Sequence, residues 1–321
     1  MRRRRTSQGR QGSVVQCSGK GPQVQFSTVS LGLESPEVVA RFAGHYLAAG
    51  AKRVTVFHDG PLPEGWPAPR EGLEVIACDD AFWAAQGGRP EALEDRQAAV
   101  YAVGLARCPS PWMLAADLDE FVFGETSIAA FLAAVPEACD AVRIPVAEAV
   151  WGPGDDPGEP WGSSYFRLPW RSGRLWRLGG RLVYGDVARF MRAGLLGHVD
   201  GKQFIRTGRA YSRIGNINTR RDGVVVTRTA RELGPGCQGL YLGHFDAIGF
   251  ERWSTKWRLR QARLAVNMSA AREAQMAMIL AALDAGEPEA RRVFRRFFGI
   301  SRAQHAVLAA LGCCFRRRLF D

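Results

Sequence analysis

Hydrophobic and polar positions alternate in blocks along this chain, and the blocks change period several times. Residues 1–22 carry Arg, Ser, Gln and Gly without any apolar repeat and read as a flexible basic tail. From residue 24 onward, short runs rich in β-branched and apolar side chains predict strands over 24–31, 53–58, 73–77 and 112–116. Helical spacing predicts helices over 36–49 and 91–106 between them, and another over 127–135. A strand is expected over 141–150, then a long irregular stretch over 151–177 rich in Gly, Pro and Trp, then strand-like pieces at 181–184, 203–206, 224–227 and 240–244. The remainder, at 249–283, 288–298 and 302–311, is helical, and no internal repeat is visible. Strands separated by helices predict an α/β fold, an open sheet flanked by helices, with a helical C-terminal extension.

Acids gather where these strands end. Asp59 precedes Gly60, Asp79 and Asp80 follow Cys78, and Asp117-Leu118-Asp119-Glu120 follows the apolar run Trp112-Met113-Leu114-Ala115-Ala116. Ligands of open α/β sheets sit at the carboxyl edge, so three such ends favour a shared cleft, although Asp-Gly turns are also ordinary loop chemistry. Two carboxylates two residues apart in extended chain point the same way, and a turn there frees both for a hard divalent cation. The plainer alternative is a strand ending in solvated acids. In the irregular stretch, Trp151, Trp161, Trp170 and Trp176 with Tyr165 and Phe166 either stack on a sugar ring or anchor the loop onto the core.

Composition narrows the classes. The 321 residues, 46% hydrophobic and 23% charged, suit a globular chain of one elaborated domain or two joined lobes. Lys and Arg exceed Asp and Glu by 43 to 32, a formal charge of +11, which favours anionic partners. Much of the surplus lies in the arginines at 2–5 and 316–318. The seven cysteines are scattered without Cys-x-x-Cys spacing and read as reduced thiols of a cytoplasmic protein. The Arg-rich start lacks a following apolar segment, and no run approaches the ~18–20 apolar residues of a membrane span. No P-loop, dinucleotide fingerprint, nucleophile elbow or His-Glu-x-x-His is present, which argues against ATPase, dehydrogenase, serine hydrolase and zincin chemistry.

Several blocks in order resemble bacterial glycosyltransferases of the family 2 type, with the GT-A fold, including the group related to family 92. They are Arg41 to Ala51 followed by Val54 to Gly60, then Cys78-Asp79-Asp80-Ala81-Phe82-Trp83, Arg96-Gln97 and Trp112 through Phe121. Gly197 to Lys202, Leu242-Gly243-His244-Phe245 and Trp253-Ser254-Thr255-Lys256 follow. The chain departs from that pattern at Ser30 to Glu34, where many relatives show Arg-Asn-Glu, and at Asn216 and Asn218, where relatives often carry histidine. The resemblance implies a GT-A-like catalytic domain with an open mixed sheet over 23–248, a helical extension over 249–321, a nucleotide-sugar donor (a UDP-sugar), Mn²⁺ or Mg²⁺, and a glycan or lipid-linked acceptor. It also implies that Asp117, Asp119 and His244 form the metal site.

Within that frame, Asp59 and Asp80 can accept hydrogen bonds from a base or ribose, with Arg96 and Gln97 closing that side; an Arg96 ion pair is the structural alternative. Lys202 and Lys256 offer point charges to phosphate, unless they are simply solvated. Glu148 is the expected general base, with Asp200 and Asp246 as rivals, and Glu120 is expected to support the turn. Two other classes remain in play. A nucleotidyltransferase would need a better phosphate loop after the first strand. A basic module for nucleic acid or membrane surface would use the terminal arginines and those at 291, 292, 295 and 296, interleaved with Phe294, Phe297, Phe298 and Phe315. A transferase whose basic ends touch the inner membrane face combines the readings; no specific nucleic acid is expected.

Overall fold

A computed structural model describes residues 24–68, 70–262 and 270–320; the tail expected over 1–22, with Cys17, lies outside the described residues. The strands run β1 (Phe26–Gly32), β2 (Ala51–His58), β3 (Leu73–Ala77), β4 (Trp112–Ala115), β5 (Glu120–Gly124), β6 (Ala141–Ile144), β7 (Val146–Val150) and β8 (Tyr165–Arg167). There follow β9 (Lys202–Arg206), β10 (Arg213–Ile214), β11 (Thr219–Arg221), β12 (Val224–Val225), β13 (Thr227–Thr229), β14 (Leu240–His244) and β15 (Cys314–Arg316). The α-helices are α1 (Pro36–Ala48), α2 (Asp80–Ala85), α3 (Leu93–Ala106), α4 (Ile128–Ala134), α5 (Gly173–Tyr184), α6 (Phe250–Ala262), α7 (Ala270–Asp284), α8 (Glu287–Phe298) and α9 (Arg302–Ala310).

A seven-stranded sheet has the order β13-β6-β9-β4-β1-β2-β3. Strands β1 to β4 are parallel, whereas β9 runs antiparallel to both β4 and β6, so the sheet is mixed and flanked by helices as expected. Strand β1 is buried at six of its seven positions, which is why it reads as a near-continuous apolar and small-residue run. Helix α1 starts with Pro36 in its first turn and buries Val38, Val39, Phe42, Ala43 and Tyr46, one face at helical spacing. A second sheet, β15-β8-β7-β14-β5, stands beside the first, and β10-β11-β12 makes a small third one.

The single strand expected over 141–150 is in fact two. Pro145, which has no N–H to give a ladder, separates β6 in the large sheet from β7 in the second. Residues 181–184, expected as strand, are the last turn of α5, which Ser172 caps by accepting from Leu175 N at 3.3 Å. In the irregular stretch the aromatics go inward: Trp151, Trp161 and Trp170 are buried, and Trp161 packs edge-on to Phe121 at 5.2 Å. The anchoring alternative is the one realised. Beyond the C-terminal helices the chain returns as β15 on β8, and Phe320 lies against Phe121, Trp161 and Phe245. The cysteines at 78, 108, 139, 237, 313 and 314 are free thiols, and no described helix is long and apolar enough to cross a membrane.

Candidate functional site

Strand β4 ends at Ala115, and the chain turns through 116–119 before entering β5, so the Asp-x-Asp triplet sits in a tight connection between the two sheets. The N–H of Glu120 donates to Asp117 O at 3.0 Å, and the Glu120 carboxylate accepts from Asp117 N at 2.8 Å. Glu120 thus braces the turn, as expected, from a fully buried position. Because the backbone is turned rather than extended, the two aspartates reach different neighbours.

Asp117 belongs to an inner cluster. Its carboxylate accepts from Gln97 Nε2 at 3.0 Å and from Lys202 Nζ at 2.8 Å. Lys202 is wholly buried, with Glu120 Oε2 at 3.5 Å and a further bond to Asn216 Oδ1. Burial alone would raise the Asp117 carboxyl, but Lys202 beside it outweighs that and holds it below the usual range. Burial likewise disfavours the Lys202 ammonium, yet Asp117 and Glu120 push its pKa upward, so it stays charged. His198 Nε2 lies 2.8 Å from Glu120 Oε1; burial works against its proton, and Glu120 raises it above the ordinary histidine value. The expectation that Lys202 offers a free point charge to phosphate is therefore corrected: its charge is spent on Asp117, Glu120 and Asn216.

Asp119 belongs to an outer cluster with His244 and Asp246, whose ligand atoms all lie within 4.8 Å of one another. Among the described residues this is the group of three His, Cys, Asp or Glu side chains whose ligand atoms converge closely enough for a metal ion; it contains Asp246 and not the expected Asp117. His244 is buried, stacks on His198 with ring centroids 5.2 Å apart, and leaves its Nδ1 without a hydrogen-bond partner. Lys256 Nζ stands 3.2 Å from Asp119 Oδ2 and 2.9 Å from Asp246 Oδ1, a monovalent charge where two carboxylates converge. One imidazole nitrogen and two carboxylates suit Mn²⁺ or Mg²⁺; the ring nitrogen on the carboxylate side is Nε2, 3.9 Å from Asp119 Oδ1, whereas the unpartnered Nδ1 lies against Gly197.

A cavity of about 640 Å³ opens beside this outer cluster. Leu33, Trp253, Trp257 and Met276 supply apolar walls, and the ion pair of Glu34 with Arg252 lies on its lining. Burial raises the Glu34 carboxyl above its ordinary value despite Arg252, and nearby Asp119 adds to the rise.

Asp59 pairs with Arg96 at 3.2 Å and Arg89 at 2.9 Å, so the ion-pair alternative for Arg96 is present. Adjacent residues of α3, Arg96 and Gln97, thereby tie the ends of β2 and β4 together. Asp80 is exposed on the first turn of α2 and takes no part in that chain of contacts; Asp79 caps the helix, accepting from Phe82 N at 2.9 Å.

The sequence matches no protein-family model and no curated protein. Among solved structures it is similar, distantly, to S. aureus TarS 1–349 in complex with UDP-GlcNAc: 12% identity over 87% of this chain and 74% of that one, TM-score 0.32. The same TarS fragment with UDP aligns at 11% identity over 81% and 71%, TM-score 0.27. A mycobacterial protein aligns at 12% identity over 86% and 76%, TM-score 0.32.

Glu148 does not fit the base role expected of it. Its side chain is 1% exposed, pairs with an equally buried Arg167 at 2.5 Å, and accepts from Gly197 N at 2.7 Å and Leu196 N at 3.0 Å. With both oxygens engaged it is a positioning residue that pins the 196–197 backbone. Gly197 needs its missing side chain there, since a Cβ would meet His244 at 2.9 Å. Asp200 is 34% exposed and pairs loosely with Arg192 at 3.8 Å. His198 and Asn216 are the site residues that pattern reading left without a role. The spacing of His198 from Lys202 was the available signal, and burial, which spacing does not show, was the missing one.

Proposed function

We propose that the protein is a glycosyltransferase that takes a sugar from a nucleotide-sugar donor, with a divalent cation held by Asp119, His244 and Asp246. The observation that carries this reading is the convergence of those three side chains beside a cavity large enough for a nucleotide sugar. Bound there, Mn²⁺ or Mg²⁺ would neutralise charge on the departing diphosphate. Asp117 stays ionised through Lys202 and orients Gln97, Lys256 balances the outer carboxylates, and the Glu34–Arg252 pair fixes one wall of the cavity. Asp200 is kept as the candidate base because it is 34% exposed and only loosely paired, with Asp246, which lines the cavity, as the rival. A UDP-sugar is the favoured donor, and a glycan or lipid-linked acceptor follows from the same reading, with the basic chain ends as membrane contacts.

The test is thermal stabilisation by a panel of nucleotides and nucleotide sugars, with and without Mn²⁺, because a ligand that binds only the folded state raises its apparent stability. The expected result is a Mn²⁺-dependent shift for one nucleotide class that Asp119→Asn abolishes, while the variant keeps its own unfolding midpoint within ~2 °C. Absence of any metal-dependent nucleotide response in the wild type would sink the proposal.

A further inference from the structure

Helix α5 carries an unusual outward face. Leu175, Leu178 and Leu182 recur at i, i+3 and i+7 and are 51%, 77% and 88% exposed, and the last two are the most exposed large apolar side chains among the described residues. Arg174, Arg177 and Arg181 repeat the same spacing one residue earlier, so a basic stripe runs alongside the leucine stripe. An amphipathic helix of a folded protein normally turns its leucines to the core. Here the inward face is already filled: Trp176 packs on Trp170 at 5.7 Å and on Tyr184 at 5.9 Å, and Gly179 lets Trp170 approach to where a Cβ would lie 3.1 Å away. The leucines are therefore left outside by a packing arrangement that has no room for them.

We propose that α5 lies on the surface of a bilayer containing anionic lipid, with the three leucines in the acyl boundary and the three arginines on headgroup phosphates. The argument for that occupant is charge. Helix α5 has no acidic residue, and the next acid in the chain, Asp186, is already paired with Arg296. Apolar insertion beside a row of arginines is the pattern of an interfacial helix. A second copy of the chain would bring the same leucines but no carboxylate on its own α5 to meet the arginine stripe. The docking is also connected to the cleft. Only residues 191–195 separate the 3-10 turn Gly185–Phe190, which follows α5, from the 196–198 segment held by Glu148 and Glu120. Gln304 of α9 fastens the C-terminal turn of α5 by donating to Val183 O at 2.8 Å. This inference does not depend on the catalytic reading, since binding is read without donor or acceptor.

The experiment is co-sedimentation of the full chain with vesicles of phosphatidylcholine alone or with about a quarter phosphatidylglycerol, at low and high salt. The wild type is expected to bind the anionic vesicles, less so at high salt. Leu178→Ser with Leu182→Ser should lower the partition by at least about tenfold, because two inserted side chains are lost. Arg174→Gln, Arg177→Gln and Arg181→Gln together should weaken binding and flatten its salt dependence. Both leucines are exposed, so the unfolding midpoint should not move; Leu182→Ser alone serves if the pair disturbs folding. Replacing the arginines at 2–5 and 316–318 by Gln separates this surface from the chain ends and should leave the leucine effect intact. Failure of the wild type to bind, or equal binding by the leucine variant, would overturn the proposal. So would a dimer in solution that the leucine variant dissolves, which would make a second copy the occupant.

Discussion

Lys202 and Lys256 carry the same charge into the same region and are held in opposite ways. Lys202 is 0% exposed and neutralises two carboxylates, one of them fully buried, whereas Lys256 is 29% exposed at the cavity edge. Removing one partner of a buried ionic group leaves the other uncompensated. Lys202→Met is expected to cost about 3–5 kcal/mol in urea unfolding, and Lys256→Met less, because Asp119 keeps some hydration even though Asp246 is left buried without its partner. His45 offers a different measurement. Burial drives its imidazole below the ordinary 6.5, with the Nε2 bond to Val122 O opposing. Folded protein then binds fewer protons than unfolded chain just below that pH, so stability falls as pH drops from about 6.5 and levels off beneath the folded value. A His45→Gln variant should lose that slope. At this scale the sequence revealed which residue types meet, but not how they divide. Alternation in an extended strand assigns Asp117 and Asp119 to one side, and the turn that carries them cancels alternation, so Asp117 meets Lys202 and Asp119 meets His244.

Two glycines in helices show how packing decides the sign of the same change. Gly44 lies exposed in α1 with open space where an added methyl would sit, and Gly104 in α3 faces Val29 of β1, whose methyl carbons would stand 2.8 Å from a Cβ. Gly44→Ala is expected to stabilise by about 0.8–1 kcal/mol through helix propensity. At Gly104 the same gain is outweighed by overpacking of about 1–3 kcal/mol, so Gly104→Ala should be net destabilising in chemical denaturation. The parallel strands were the most legible elements, because burial on both faces leaves a run such as Trp112-Met113-Leu114-Ala115 with nothing charged in it. Residues 181–184 misled for a converse reason. Helix α5 keeps leucines outside, so the apolar period that identifies a buried helix face is displaced, and a short Leu-Val-Tyr run imitates a strand.

Across the whole molecule, the C-terminal segment closes the structure rather than trailing from it. The Phe320 ring centroid lies 4.9 Å from that of Phe121, and Arg41 of α1 lies over it at 5.0 Å, so the chain's end covers the back of the acidic turn. Phe320→Ala should lower stability by about 2 kcal/mol, less than a fully buried phenylalanine because this one is only partly covered, and a calorimetric scan would show it. Sequence pattern placed this region as a helical extension; the return of β15 was hidden because three residues, Cys314–Arg316, hold too little pattern to distinguish a strand from a tail.

The acidic turn has one more property. Asp117 and Lys202 hang from the large sheet, while Asp119, His244 and Asp246 adjoin strands of the second, and the backbone crosses from one sheet to the other at that turn and again at Pro145. Glu120 of the second sheet already reaches Lys202 of the large one, and the two share a core, so anything bound across both clusters would act as a further rivet through two plates, its grip set as much by how the plates lie as by the atoms it touches.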